Sequence, residues 1–371
     1  MKDACLFTIV SKNYISNARV LIKSFLKYHP KIKTFVLIAD KVDGYFDPGK
    51  ERFEVIEADS IGIDDFDSFS FKYNIVEFNT AVKPYFFDYL FTHLGFKKII
   101  YLDPDIVVFR ELSDVFDALD RYSIVLTPHI MSPLPDDGCS PREIDILKVG
   151  CFNLGFIGLS QTKNTGQFLS WWKNRLYDKC LQAPLSGYAV DQIWPGLVPC
   201  FFDDYYILRR PGYNVAYWNL HERTLAKNGG EYFINETPLY FFHFSGFDPD
   251  NLNKISKYQN RFELKDFAYL SELFEMYKGL LVREGYHESI HWPYHYGFFS
   301  NGSRVSELAR GIYWGLDMSS KSMSNPYNGF YKKLFGGLYL KSLFSERFLR
   351  AMMDKFSIYV WKSFLNRKNP S

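Results

Sequence analysis

Ile99-Ile100-Tyr101-Leu102-Asp103-Pro104-Asp105-Ile106-Val107-Val108 is an apolar run of strand length that delivers two carboxylates, two residues apart, to its end. Successive strand residues point to opposite faces. Acids at i and i+2 on a strand-terminal bend can therefore converge, and Pro104 stiffens that bend. Paired acids in a buried setting repel one another unless a cation sits between them. A hard divalent ion with oxygen ligands, its shell completed by waters and a substrate's phosphates, is the simplest solution. Most Asp-x-Asp strings are solvated turn acids. This one follows a strand, and strand-end loops of open α/β sheets are where ligands bind. The run predicts metal-assisted chemistry on a phosphorylated substrate.

Outward from that run, the first 160 residues alternate strand and helix signals. Ala4 to Val10 reads as a strand, and Tyr14 to Tyr28 as a helix with Ala18, Leu21, Ile22 and Phe25 on one face. Thr34 to Ala39 and Phe53 to Ile56 read as strands. Asn79-Thr80 is placed to cap a helix through Tyr85, Phe86, Tyr89 and Leu90. A helix near Leu112 to Leu119 and a strand at Ser123 to Thr127 follow. This alternation predicts an α/β fold, a mainly parallel sheet with helices on both faces. Met131 to Asp145, rich in Pro, Asp, Ser and Gly, reads as a long loop. Phe152 to Leu159 resumes a strand, Phe168 to Leu176 is helical, and Tyr240 to Gly246 is an aromatic strand carrying His243 into a turn. Glu263 to Glu284 is helical again.

Composition narrows the class. An apolar content of 47% with 23% charged residues is that of a folded globular chain. A net charge of +2 argues against a dedicated nucleic-acid binder. Five scattered cysteines without a C-x-x-C pair exclude a disulfide framework and structural zinc as organising devices, and predict a reduced, cytoplasmic setting. No signal peptide is expected from residues 1 to 10, and no apolar stretch reaches the ~18 residues needed to span a bilayer. From Phe330 to Ser371, nine Lys or Arg face two acids among Leu, Phe, Met and Trp361. Such a tail is either a solvated helix face or a peripheral contact with an anionic membrane.

Other residues gather around the same chemistry. Lys83, followed by Pro84 and aromatics, needs a partner if buried, and a diphosphate or an acid would serve. Asp191-Gln192 lie in an apolar setting where an unpaired carboxylate is costly. They fit an internal ion pair or hydrogen bonds to a substrate's hydroxyls, and Asn153 fits similar work or a turn. His243 fits a core position or, with Asp103 and Asp105, a metal shell. His221-Glu222-Arg223 lies beside Tyr217-Trp218-Asn219, a polar and aromatic segment that fits the lining of a substrate groove.

Taken in order, Thr8-Ile9-Val10-Ser11-Lys12-Asn13-Tyr14, Thr80-Ala81-Val82-Lys83-Pro84, Tyr101-Leu102-Asp103-Pro104-Asp105, Phe152-Asn153-Leu154-Gly155, Asp191-Gln192 and His243-Phe244-Ser245-Gly246 resemble nucleotide-sugar glycosyltransferases of the GT-A fold. The likeness is to retaining family 8 enzymes such as glycogenin and lipopolysaccharide galactosyltransferases, and covers roughly residues 4 to 250. It implies a GT-A domain over 1–260 and a mainly helical extension over 261–371. It implies a UDP-sugar held by Thr8, Val10, Lys12, Asn13, Tyr14, Lys83, Asp103 and Gly246, and Mn²⁺ or Mg²⁺ on Asp103, Asp105 and His243. Asp191, Gln192 and Asn153 would serve the reaction, and the acceptor would be a glycan or glycolipid in bacterial surface polysaccharide synthesis. One departure stands out. The lysine that usually follows the late histidine-glycine motif is replaced by Phe247-Asp248-Pro249-Asp250, and the nearest lysines are Lys254 and Lys257.

Two rivals remain. The Asp-x-Asp-x-Val pattern also fits haloacid-dehalogenase-type phosphohydrolases. Those usually begin with their acidic strand and carry a later Gly-Asp motif, whereas about a hundred residues precede Asp103 here. A non-catalytic carbohydrate-binding module need not keep two acids and a histidine together.

Overall fold

The structure is a computed structural model that describes residues 3–315 and 325–329. The basic tail read from the sequence over 330–371 lies outside the described residues. The chain opens with β1 (Ala4–Val10), α1 (Ile15–Tyr28), β2 (Lys33–Ile38) and β3 (Glu54–Glu57). Helices α2 (Phe66–Phe71), α3 (Ile75–Ala81) and α4 (Lys83–Thr92) lead into β4 (Lys98–Leu102) and the short β5 (Ile106–Val108). Then come α5 (Ser113–Leu119), β6 (Ile124–Pro128), α6 (Glu143–Val149), β7 (Phe152–Ser160) and α7 (Lys163–Lys179). A small hairpin of β8 (Gln182–Ala183) and β9 (Tyr188–Ala189) precedes α8 (Val198–Phe201) and β10 (Tyr205–Ile207). A meander of β11 (Leu225–Asn228), β12 (Glu231–Ile234) and β13 (Thr237–Pro238) ends in β14 (Phe241–His243). The extension adds α9 (Leu270–Arg283), α10 (Tyr286–Ser289) and α11 (Glu307–Gly315).

Seven strands form one sheet in the order β10-β6-β7-β4-β1-β2-β3. The class is the mainly parallel α/β fold expected. Strand β7, however, runs antiparallel to both β4 and β6. Alternation divides the core into two layers, as a sheet covered on both faces requires. Phe7, Ile9, Phe35, Ile99 and Ile157 pack with Phe86, Phe87, Phe168 and Trp172 on one face. Leu6, Val36, Ile100 and Phe156 pack with Leu21, Ile22, Phe25 and Phe116 on the other.

Two local expectations are corrected. Asn79 and Thr80 do not cap the helix through Leu90. Asn74 caps α3 through the Val76 and Glu77 amides, and Thr80 bonds back to the Val76 and Glu77 carbonyls inside that helix. Helix α4 starts anew at Lys83, with Pro84 in its first turn, where a missing N–H costs nothing. The long loop after β6 also ends earlier than its composition suggests, because α6 begins at Glu143.

Candidate metal centre

Three strand ends build the centre. Asp103 closes β4, and its amide donates to the Gly155 carbonyl at 2.8 Å. Asp105 precedes β5, and β5 pairs antiparallel with β14, so that Ile106 faces His243. The Phe244 amide then bonds the Asp105 carbonyl at 2.9 Å. His243 Nε2 lies 3.0 Å from Oδ1 of Asp105 and 3.6 Å from Oδ2 of Asp103. The three ligand atoms lie within 4.8 Å of one another. Both carboxylates keep an open side, while His243 is buried. Two carboxylate oxygens and one imidazole nitrogen suit Mn²⁺ or Mg²⁺.

The electrostatics follow from the packing. Enclosure raises the Asp103 carboxyl above its ordinary range, against the pull of Lys83 and His243. Burial works against charge on His243, but the Asp105 carboxylate outweighs it and the imidazole is raised overall. Tyr101 donates its hydroxyl to Oδ1 of Asp103 at 2.5 Å, fixing that carboxylate's rotation. Gly155 allows the ring of His243 to approach. A Cβ there would sit 2.7 Å from its Nδ1.

Antiparallel β7 starts beside the end of β4, which brings Asn153-Leu154-Gly155 to the acids. Asn153 Nδ2 donates to Oε1 of Gln192 at 3.1 Å and lies 3.2 Å from Nε2 of His129. Gln192 Oε1 also accepts the Leu154 amide, and its Nε2 donates to the Val149 carbonyl. Asp191 is buried against Lys83, with Nζ 2.5 Å from Oδ2. Burial raises the Asp191 carboxyl while Lys83 opposes the rise.

Several residues read as donor contacts occupy other roles. Thr8 and Val10 are buried within the paired length of β1, so neither side chain is open to a nucleotide. The Lys12 ammonium is buried between Asp40 at 3.4 Å and Asp43 at 2.9 Å, with the Lys41 carbonyl at 3.0 Å. Lys83 bonds Asp191 and the Leu154 carbonyl and lies 4.0 Å above the ring of Tyr101. Both lysines are buried and ion-paired within the protein. Asn13 is partly and Tyr14 openly exposed. His221-Glu222-Arg223 does not line a groove. Arg223 is buried on the Pro211 and Tyr213 carbonyls, Glu222 accepts the Met131 amide, and His221 reaches the Ser132 carbonyl.

Asn214, Trp218 and His129 belong to the site without a sequence signal. Asn214 lies 3.3 Å from Nδ1 of His243, and Trp218 sets its ring edge-on to His243 and to His129. Only the φ of +51° at Asn214 has a residue-level correlate, since Asn tolerates the left-handed region. Gly246, at φ +70°, turns the chain after His243, and its carbonyl accepts the Lys257 amide at 3.0 Å. Lys257 is thereby returned to the turn that carries the late motif.

No family model matches the chain. It is 26% identical over 204 residues to the uncharacterized protein YfnF of Bacillus subtilis, covering 54% of this chain and 66% of that one. It is 28% identical over 151 residues to YfnD of the same organism, covering 40% and 46%. The chain thus spans less than two thirds of either relative. Among solved structures, it is similar to the galactosyltransferase LgtC in complex with donor and acceptor sugar analogs, at 17% identity and TM-score 0.43, covering 74% of this chain and 95% of that one. It is also similar to the glycosyltransferase GlyE of Streptococcus pneumoniae, at 17% identity and TM-score 0.42, covering 80% and 67%.

Proposed function

We propose that this chain is a metal-dependent glycosyltransferase. It moves a sugar from a UDP-sugar to a glycan or glycolipid acceptor, with retention, in bacterial surface polysaccharide synthesis on the cytoplasmic side of the membrane. The observation that carries this proposal is the convergence of Asp103, Asp105 and His243 at adjoining strand ends. The donor set fits Mn²⁺ or Mg²⁺. When bound, such an ion supplies charge neutralisation for the departing diphosphate.

The chain's own residues do the rest. Tyr101 holds Asp103 and His243 lies against Asp105, which fixes the two carboxylates. Lys83 pairs with Asp191 next to the Asn153–Gln192 amide pair, and in this reading the carboxylate faces the donor sugar and stabilises positive charge developing at its anomeric carbon. Preorganised charge of this kind costs no reorganisation during reaction. Asn13 and Tyr14, exposed beyond β1, are the contacts available to the nucleotide on that side.

Calorimetry tests the core of this assignment. UDP should bind in the presence of Mn²⁺, more tightly than GDP or ADP, and Asp105→Ala should abolish the metal-dependent part. Unchanged affinity in a folded Asp105→Ala protein would remove the metal site. A preference for GDP would remove only the uridine assignment. Hydrolysis of a panel of nucleotide sugars with Mn²⁺ identifies the donor.

A further inference from the structure

The amides behind His243 form a chain whose direction is fixed by the backbone. The Leu154 N–H donates to Oε1 of Gln192 at 3.2 Å, and Nε2 of Gln192 donates to the Val149 carbonyl at 3.0 Å. Neither bond works with the amide reversed, since a backbone N–H needs an acceptor and a carbonyl needs a donor. With Oε1 facing inward, Asn153 must offer it Nδ2, at 3.1 Å. Its Oδ1 then accepts the Gly155 N–H at 3.0 Å, a second backbone check on the same orientation. Oδ1 of Asn153 also accepts from Nδ2 of Asn214 at 3.0 Å, and that nitrogen donates to Thr127 Oγ1 at 2.9 Å as well. Asn214 is left with one free polar atom, Oδ1, and it lies 3.3 Å from Nδ1 of His243. An oxygen can only accept, so Nδ1 of His243 must carry the hydrogen.

The backbone of Asn214 is held to this task. Asn219 donates to its carbonyl at 3.0 Å and to the His129 carbonyl at 3.1 Å, and accepts the Ala216 amide at 2.9 Å. Asn214, Asn219 and His129 are all buried, so water does not compete for these partners. At the far side of the ring, Nε2 of His243 points at Asp103 and Asp105.

We propose that Asn214 is a positioning residue that keeps the His243 proton on Nδ1 and thereby leaves the Nε2 lone pair for a divalent ion. This rests on the metal assignment above. A ligating histidine commonly has its other ring nitrogen fixed by such a partner, and losing the partner typically weakens metal binding ~10–100-fold. The order Leu154 and Gly155 amides, Gln192, Asn153, Asn214, His243 also gives Asn153 and Gln192 a task besides any contact with the sugar.

Two measurements test the proposal, neither of them turnover. In wild-type protein labelled with ¹⁵N at histidine and loaded with Mg²⁺ and UDP, long-range ¹H–¹⁵N spectra should show His243 protonated at Nδ1 and bare at Nε2. Protonation at Nε2, or exchange between the two forms, would overturn it. Second, Mn²⁺ binding is followed by electron paramagnetic resonance in the wild type and in Asn214→Gly, Asn214→Asp and His243→Ala. Gly and Asp both tolerate the left-handed backbone at position 214, which guards against misfolding. Asn214→Gly should lose ~10–100-fold in affinity. Asn214→Asp, which keeps an acceptor for Nδ1–H but sets a carboxylate oxygen against Oδ1 of Asn153, should bind Mn²⁺ more tightly than Asn214→Gly. If Asp is as damaging as Gly, Asn214 acts only through packing and the proposal falls. If Asn214→Gly binds like the wild type while His243→Ala does not, the proposal falls and the metal site stands. If the wild type binds no Mn²⁺, or His243→Ala matches it, the metal site itself is wrong.

Discussion

A side chain at position 155 would lie 2.7 Å from Nδ1 of His243 and 2.8 Å from Oδ1 of Asn153, closer than packed atoms tolerate. Gly155→Ala should therefore push His243 off the two acids and lower Mn²⁺ affinity by ~10–100-fold, as loss of ligand orientation does. A metal titration alongside a melting curve checks this, and wild-type affinity in the variant would contradict the geometry. The pair Lys83–Asp191 makes a second test, because both side chains are almost wholly enclosed. Lys83→Met leaves a buried carboxylate without its cation and should cost about 3–5 kcal/mol. The double change Lys83→Met with Asp191→Leu should recover most of that stability in urea unfolding, yet show no sugar transfer. Equal stability of the single and double variants would mean that the pair is not coupled. Sequence could state that Lys83 needs a partner. It could not say that the partner is Asp191, over a hundred residues later.

The long segment after β6 is fastened to the chain that follows the late histidine motif. Arg261, with a side chain 5% exposed, bonds both oxygens of Asp137 at 2.9 Å and the Pro141 carbonyl at 3.0 Å. Asn260 holds the Ser140 amide at 2.7 Å. Arg261→Ala should leave the sheet intact but release this loop. Limited proteolysis should then cut within residues 131–142 faster than in the wild type, with a much smaller change in melting temperature. Cleavage at the wild-type rate would show that the loop is held by other contacts.

At the scale of the whole molecule, pH acts through two enclosed histidines. Burial lowers both His29 and His129 from about 6.5 to about 4. Both are neutral in the folded protein where the unfolded chain would already bind a proton. Between those two pH values the unfolded state holds more protons, so stability falls as pH drops. Melting temperature should decline as the pH is lowered from about 6.5 to about 4. His29→Gln with His129→Gln should flatten that slope, and a slope unchanged in the double variant would assign it to other groups. The extension is built into the body. The His295 amide bonds Asp40 at 2.8 Å, Arg310 bonds the Phe71 and Tyr296 carbonyls, and Asn17 donates to Tyr277 at 3.1 Å. A chain ending at Asn260 would expose Phe242 and Phe244, which pack on Phe274, and should not fold alone. No helix among the described residues is long and apolar enough to cross a membrane. Docking through the basic tail is checked by co-sedimentation with anionic vesicles, comparing the full chain with one ending at Asn328. The full chain alone should pellet at low salt, and two soluble chains would end that idea.

Local chemistry made much of this legible. Strand-length apolar runs, the apolar face of α1 and an Asp-x-Asp after a strand depend on neighbours in the chain, and the structure has the α/β class and an acid pair beside a histidine where they point. The direction of β7 depends instead on pairing with β4 and β6, and that antiparallel placement carries the Gly155 carbonyl to the Asp103 amide. The partners of Lys12 and Lys83, the latch on Arg261 and the turn of Asn214 toward His243 are likewise contacts between distant segments. Their energies come from burial and from backbone groups that a sequence pattern does not mark. The sequence by itself determined that two carboxylates stand at a strand end and that a histidine rides a later strand. Tertiary packing decided that these three meet and that Lys12 and Lys83 are held by acids from distant segments, because in a buried site the nearest opposite charge wins.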